Sequence, residues 1–143
     1  MIKNSEITVI VQGPYYEKIT DKVLNKIYKV FKGSKLIFST YKDNKLNNSL
    51  KKKFKVLINK NPEKTPMSLK PLQYYNYTGQ MRTTLNGLKN SKTKYCLKTR
   101  SDLIIENKNF LKYFNKYKKF EKNYKILKKK VLISSFNTIN PRK

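Results

Sequence analysis

The chain has 143 residues, 34 Lys or Arg against 8 Asp or Glu, no His, and a net charge of +26. That length suits one domain with a real core, and with no His and a single cysteine it excludes Ser-His and Cys-His catalysis, zinc sites and an intrachain disulfide framework. The charge suggests a polyanionic partner, nucleic acid or an anionic membrane, but only Arg82, Arg100 and Arg142 are arginines and the lysines are spread along the whole chain, as on a solvated surface encoded by AT-rich sequence.

Residues 7–11, Ile-Thr-Val-Ile-Val, form a nearly continuous β-branched run. Such a run suits a strand buried on both faces, as in a parallel sheet. It stops at Gln12-Gly13-Pro14, where Gly13 can take positive φ or admit a ligand to the backbone and Pro14 cannot extend a ladder. It is also too short for a secretory apolar segment. Thr20 reads as a helix N-cap, with Val23, Leu24, Ile27, Val30 and Phe31 on one face and Gly33 as the stop. Residues 36–40 form a second strand, ending in polar Tyr41-Lys42-Asp43-Asn44. Residues 45–53 read as a short exposed helix around Leu46 and Leu50, and residues 54–58 as a third strand. Strand and helix thus alternate, which predicts an α/β fold with a parallel sheet and right-handed crossovers.

Residues 62–71, with three prolines, read as a loop. A helix of roughly four turns is expected next, with an apolar stripe of Tyr74, Tyr77, Met81, Leu85 and Leu88 packed in the core. Residues 95–99 form the fourth strand. Cys96 there reads as a small buried hydrophobe, and one cysteine fits a reducing, cytoplasmic setting. Arg100-Ser101-Asp102 closes that strand. In an open α/β sheet, ligands sit outside the carboxyl ends of strands. An Asp there can hold a hard cation and an Arg can pair with phosphate, while the local alternative is an Arg–Asp pair closing a turn. Asn107 can cap a helix burying Phe110, Leu111, Phe114 and Tyr117. Residues 116–130 are very basic. They read as a solvated helix face rather than a surface for anionic lipid, since no large apolar face accompanies the charge. Residues 131–136 read as a last strand. No apolar run approaches the roughly 18 residues a membrane span needs, and neither a P-loop nor a Gly-rich dinucleotide fingerprint is present.

Taken together, these residues resemble the WavE family of lipopolysaccharide-synthesis proteins, which belongs with glycosyltransferases of the GT-A fold. The resemblance runs from Gln12-Gly13-Pro14 through Phe38-Ser39-Thr40-Tyr41, Asn76, Gln80 and Leu85-Asn86-Gly87-Leu88. It continues through residues 94–102, Ile105-Glu106-Asn107, Phe110-Leu111 and Ser134-Ser135-Phe136, so it covers nearly the whole chain. It implies a Rossmann-like sheet with strand order 3-2-1-4 and flanking helices, in one domain over residues 1–143. It implies transfer of a sugar from a nucleotide-sugar donor to a glycan or lipid-linked acceptor hydroxyl, in the cytoplasm or peripherally on the inner membrane face.

By the same resemblance, Gln12, Gly13 and Pro14 line the nucleotide pocket, and Thr40 and Tyr41 lie near the base or ribose. Asn76, Gln80 and Arg100 also belong to the donor site. Asp102 stands at the Asp-x-Asp metal position and would hold Mg²⁺ or Mn²⁺. The chain departs from the family pattern at Gly79, where Arg is usual, at Thr78, where Asn is usual, and at Arg100, where the first acidic metal ligand would stand. Past Asp102 only Glu106 and Glu121 are acidic, so no catalytic base is assigned. The chain reads as the donor-binding half of a transferase, truncated after it. The competing readings are a non-enzymatic basic nucleic-acid binder and an inactive transferase remnant. Against the first stand the scarce arginines and the missing binding motif, so no specific nucleic acid is expected.

Overall fold

The computed structural model describes residues 2–41, 46–61, 65–67, 70–75, 77–116 and 131–132. The chain divides into two compact units, Ile2–Glu106 and Asn107–Lys143, the second also taking in the first residue.

In the first unit the elements are β1 (Ile7–Gln12), α1 (Glu17–Val30), β2 (Lys35–Tyr41), α2 (Asn48–Lys53) and β3 (Lys55–Asn59). They continue as β4 (Thr65–Met67), β5 (Lys70–Tyr75), α3 (Tyr77–Lys89) and β6 (Tyr95–Arg100). The main sheet has the order β3-β2-β1-β6, with every pairing parallel. This is the expected Rossmann-like order. Central β1 is buried along its entire length, which is why its sequence is apolar at odd and even positions alike.

The crossover from β1 to β2 runs one way across the sheet, and that from β3 to β6 runs the other. With right-handed connections, α1 and α3 therefore lie on opposite faces. Even-numbered β1 residues meet α3: the Thr83 hydroxyl donates to Gln12 Oε1 at 2.8 Å. Helix α1 buries Val23, Leu24 and Ile27, and Phe31 just after it is also fully buried.

Several expectations are corrected. Thr20 is not the N-cap: α1 begins at Glu17 with Tyr16 as cap, and Thr20 Oγ1 accepts from the Tyr16 N–H at 2.9 Å from one turn inside. Gly33 takes a positive φ of 87° beyond the C-cap Phe31, so the chain does reverse there. The helix near residues 45–53 is Asn48–Lys53, capped by Asn47, and it is anchored by buried Leu46 and Leu50. The proline-rich stretch is not simply a loop. It contains the antiparallel pair β4–β5, irregular at Pro66/Met67. In a two-stranded ribbon each strand has an edge, where a residue without an N–H is tolerated. Tyr74 accordingly belongs to β5, not to the helix.

The facing of α3 is the largest correction. Met81, Leu85 and Leu88 were expected in the core, yet they are 63%, 51% and 42% exposed. The helix instead packs through Gly79, Thr83 and Gly87, all buried. These recur every four residues, so they form one ridge. A Cβ on Gly87 would lie 2.4 Å from Ile10 Cγ2. Small residues bring the backbone close to the sheet, and the apolar stripe is left on the outer side.

Cys96 is also corrected. It is exposed, and its thiol donates to Ser91 Oγ at 2.9 Å. Register pairs it with Thr8, on the side that α3 covers over β1 but not over β6.

In the second unit, Asn107 does cap: its Oδ1 accepts from the Asn109 N–H at 3.0 Å. The element it caps is a 3-10 turn, Asn109–Leu111, which leads into the single-turn helix α4 (Lys112–Lys116). Phe110, Leu111 and Phe114 are half-buried instead of buried, and Tyr117 lies outside the described residues. The basic run 117–130 and most of the expected last strand also lie outside them. Val131 and Leu132 are exposed and not in a strand.

Candidate functional site

The strand order reverses at β1, which has β2 on one side and β6 on the other. The carboxyl ends of β1 and β6 are therefore the switch point of the sheet, where open α/β folds place their ligands. The register pairs Gln12 with Arg100, so the two motifs singled out in the sequence are neighbours.

They are joined by direct bonds. The Ser101 N–H donates to the Gln12 carbonyl at 2.9 Å, and the Ser101 hydroxyl donates to the Pro14 carbonyl at 2.7 Å. Gly13 has a φ of 127°, and a Cβ there would come within 2.7 Å of Ser101 Oγ. Its N–H donates to the Ser39 carbonyl at 3.2 Å, tying the end of β1 to β2. Gln12 is 2% exposed, so its contact with Thr83 fixes α3 over the strand end. Pro14 is half-buried.

Arg100 and Asp102 form a bidentate pair. Nε donates to Oδ1 at 2.8 Å and Nη2 to Oδ2 at 2.6 Å. The Arg100 side chain is 55% exposed and that of Asp102 34%. This is the local turn-closing pair that the sequence offered as an alternative. The hydrogen bonds and charge of Arg100 hold the Asp102 carboxyl below the usual carboxylate range, against a smaller opposing effect of burial. Because that pKa is depressed on folding, the pair's contribution is present above the unfolded value, about 3.9, and is lost as pH falls through the lower folded value. Arg100→Gln should return the Asp102 carboxyl to the ordinary range in an NMR-monitored acid titration. An unchanged midpoint would sink the pairing.

Deeper at the same sheet end lies a polar ladder that sequence reasoning missed. Asn59, 6% exposed, donates through Nδ2 to Ser39 Oγ at 3.0 Å, to the Thr40 carbonyl at 2.7 Å and to the Leu57 carbonyl at 3.2 Å. Its Oδ1 accepts from Asn86 Nδ2 at 2.9 Å, Asn86 Oδ1 accepts from Asn90, and Asn90 Oδ1 from Lys55 Nζ at 2.7 Å. The available signal was a polar residue ending each strand: Gln12, Ser39 and Asn59. Thr40 is fully buried. Tyr41 is 6% exposed and its buried hydroxyl has no hydrogen-bond partner among the described residues; the same holds for Thr99. Such orphaned hydroxyls are rare in native folds.

The remaining expected residues are less central. Gln80 is exposed. Asn76 lies outside the described residues. Arg82 donates through Nη1 to the Lys60 and Asn61 carbonyls, each at 3.2 Å, so it braces the segment after β3. Glu106 pairs with Lys26. Tyr15, beside the glycine turn, donates to Asp21 Oδ1 at 2.9 Å. Burial, then Asp21, push its pKa up to about 12.

The donor set does not fit a resident cation. Asp102 is a lone carboxylate with both oxygens accepting from Arg100, and no cluster of three His, Cys, Asp or Glu occurs among the described residues. No helix among them is long and apolar enough to cross a membrane.

The model of a family described as WavE lipopolysaccharide synthesis matches residues 7–143. No curated protein matches the chain, and no solved structure does.

Proposed function

The chain belongs to the WavE lipopolysaccharide synthesis family, and from that premise we propose that it binds a nucleotide-sugar donor and passes the sugar to an acceptor hydroxyl on a glycan or lipid-linked chain. The observation that carries this reading is the meeting of Gln12-Gly13-Pro14 and Arg100-Ser101-Asp102 at the switch point of a parallel sheet. That place receives nucleotides in folds of this architecture. Two further features support it. The Tyr41 hydroxyl and the Thr99 hydroxyl are buried without partners at the ends of β2 and β6. The chain's excess of lysines also draws a polyanion such as a nucleoside diphosphate toward it.

In this reading Gly13 lets the backbone approach the ligand, and Thr40 and Tyr41 lie on the base and ribose side. Arg100 meets the phosphates. The work of the site is to stabilise the diphosphate as it leaves, where negative charge develops. A peripheral contact with an anionic membrane, through the basic surface, would bring the chain to a lipid-linked acceptor.

The test is calorimetry with UDP, GDP, CDP and ADP, each beside its own nucleoside. One nucleoside diphosphate should bind at least about tenfold more tightly than its nucleoside at near-physiological salt, since charge-assisted phosphate contacts are worth roughly 1.5–3 kcal/mol. Binding equal for diphosphate and nucleoside, or none for any of the four, would end this reading.

A further inference from the structure

We propose that Arg100, not a divalent cation, holds the diphosphate at this site, and that Asp102 is a positioning residue that aims the guanidinium. The inference rests on the nucleotide-sugar reading above and names how that site meets phosphate. The position that would carry an acidic metal ligand carries a cation of the protein itself. Asp102, the one carboxylate near it, has both oxygens committed to Arg100 at 2.8 and 2.6 Å. A cation would have to compete with a fixed guanidinium for those oxygens.

The geometry leaves Arg100 able to act. A guanidinium has five N–H donors, and Asp102 engages two of them, leaving three. The side chain is 55% exposed at the end of β6. The phenol of Tyr16 lies near enough to bear electrostatically on it. Held at two points, the planar fork loses little further freedom when it grips a phosphate. The pair is neutral by itself, so attraction must come from elsewhere. The net charge of +26 supplies it, including Lys98, exposed on the same face of β6. Lysines provide the field, and Arg100 provides direction.

The experiment is calorimetry of the full chain with UDP, GDP and CDP, in EDTA and in Mn²⁺. Wild type should bind its preferred nucleoside diphosphate with affinities in the two buffers that agree within about twofold. Arg100→Gln should weaken diphosphate binding by about tenfold to a hundredfold while leaving nucleoside binding unchanged. Arg100→Lys, which keeps charge but loses the fork, should fall between. Asp102→Asn should weaken binding by about threefold to tenfold in EDTA. It should add nothing in the Arg100→Gln background, because its effect passes through that side chain. Thermal melts confirm that each variant is folded. Diphosphate binding that requires Mn²⁺, with an Asp102→Asn loss seen only when Mn²⁺ is present, would overturn this inference and leave the donor-site reading intact. An Arg100→Gln variant that binds like wild type would also overturn it. Binding of no nucleoside diphosphate by any variant would overturn both.

Discussion

Gly13→Ala should lower the stability of the sheet unit by about 3 kcal/mol. Two costs add. A φ of 127° lies where only glycine is at ease, and forcing an L side chain into such regions costs roughly 1–3 kcal/mol. The new methyl also meets Ser101 Oγ at 2.7 Å. Ser101 is 2% exposed, so it cannot simply swing into solvent. To yield, its hydroxyl must leave the Pro14 carbonyl, which loses a bond worth about 1 kcal/mol. Urea denaturation should show the loss, and melting should fall by something on the order of 15 °C for a unit of this size. In a Ser101→Ala background the steric part should shrink while the φ cost remains. A Gly13→Ala protein within about 0.5 kcal/mol of wild type, the range of a neutral surface change, would show that the turn is looser than the bonds around it indicate.

Asn59→Leu should cost about as much, roughly 3 kcal/mol, by a different mechanism. The substitution keeps volume and adds apolar surface, which by itself favours burial. It leaves the Thr40 carbonyl without the Asn59 amide, and it leaves the Asn86 amide without its acceptor. Stranding buried polar groups costs about 1–3 kcal/mol each. Since Asn86 belongs to α3 and Thr40 to β2, the loss should also loosen the helix over the sheet. Amide hydrogen exchange is the second readout: protection should fall in α3 more than in α1. Equal protection in both helices would mean that the ladder does not fasten α3.

The four parallel strands were legible because β-branched runs at residues 7–11 and 36–40 have no other comfortable home than a sheet buried on both sides. Their order followed from the alternation of strand and helix. The closeness of Gln12-Gly13-Pro14 to Arg100-Ser101-Asp102 followed from that order. The β4–β5 ribbon was hidden because Pro66 and Pro71 are ordinarily breakers, and a two-stranded ribbon is among the few places where they are admitted. The facing of α3 was misread for a more general reason. Hydrophobic periodicity assumes that a helix packs by its large side chains, whereas this one packs by Gly79, Thr83 and Gly87. Ser101 was overlooked between two charged residues, although it makes the bonds that close the strand ends together. Asn59 and Asn86 were overlooked because Asn is so common in this chain that no single one stood out.

The sheet order has a consequence for association. Among the described residues β3 and β6 have no strand beyond them, so each offers backbone donors and acceptors to a passing chain. An open edge of this kind invites a second copy to add its own strand. Exposed Lys55 lies on β3 and Lys60 follows it, while exposed Lys98 lies on β6 and Lys94 precedes it. Two copies meeting edge to edge would bring these ammonium groups together across a gap of about 5 Å. Lysines along the sheet edges thus act as guards against cross-β growth in a sequence otherwise rich in strand-forming Ile, Tyr and Phe.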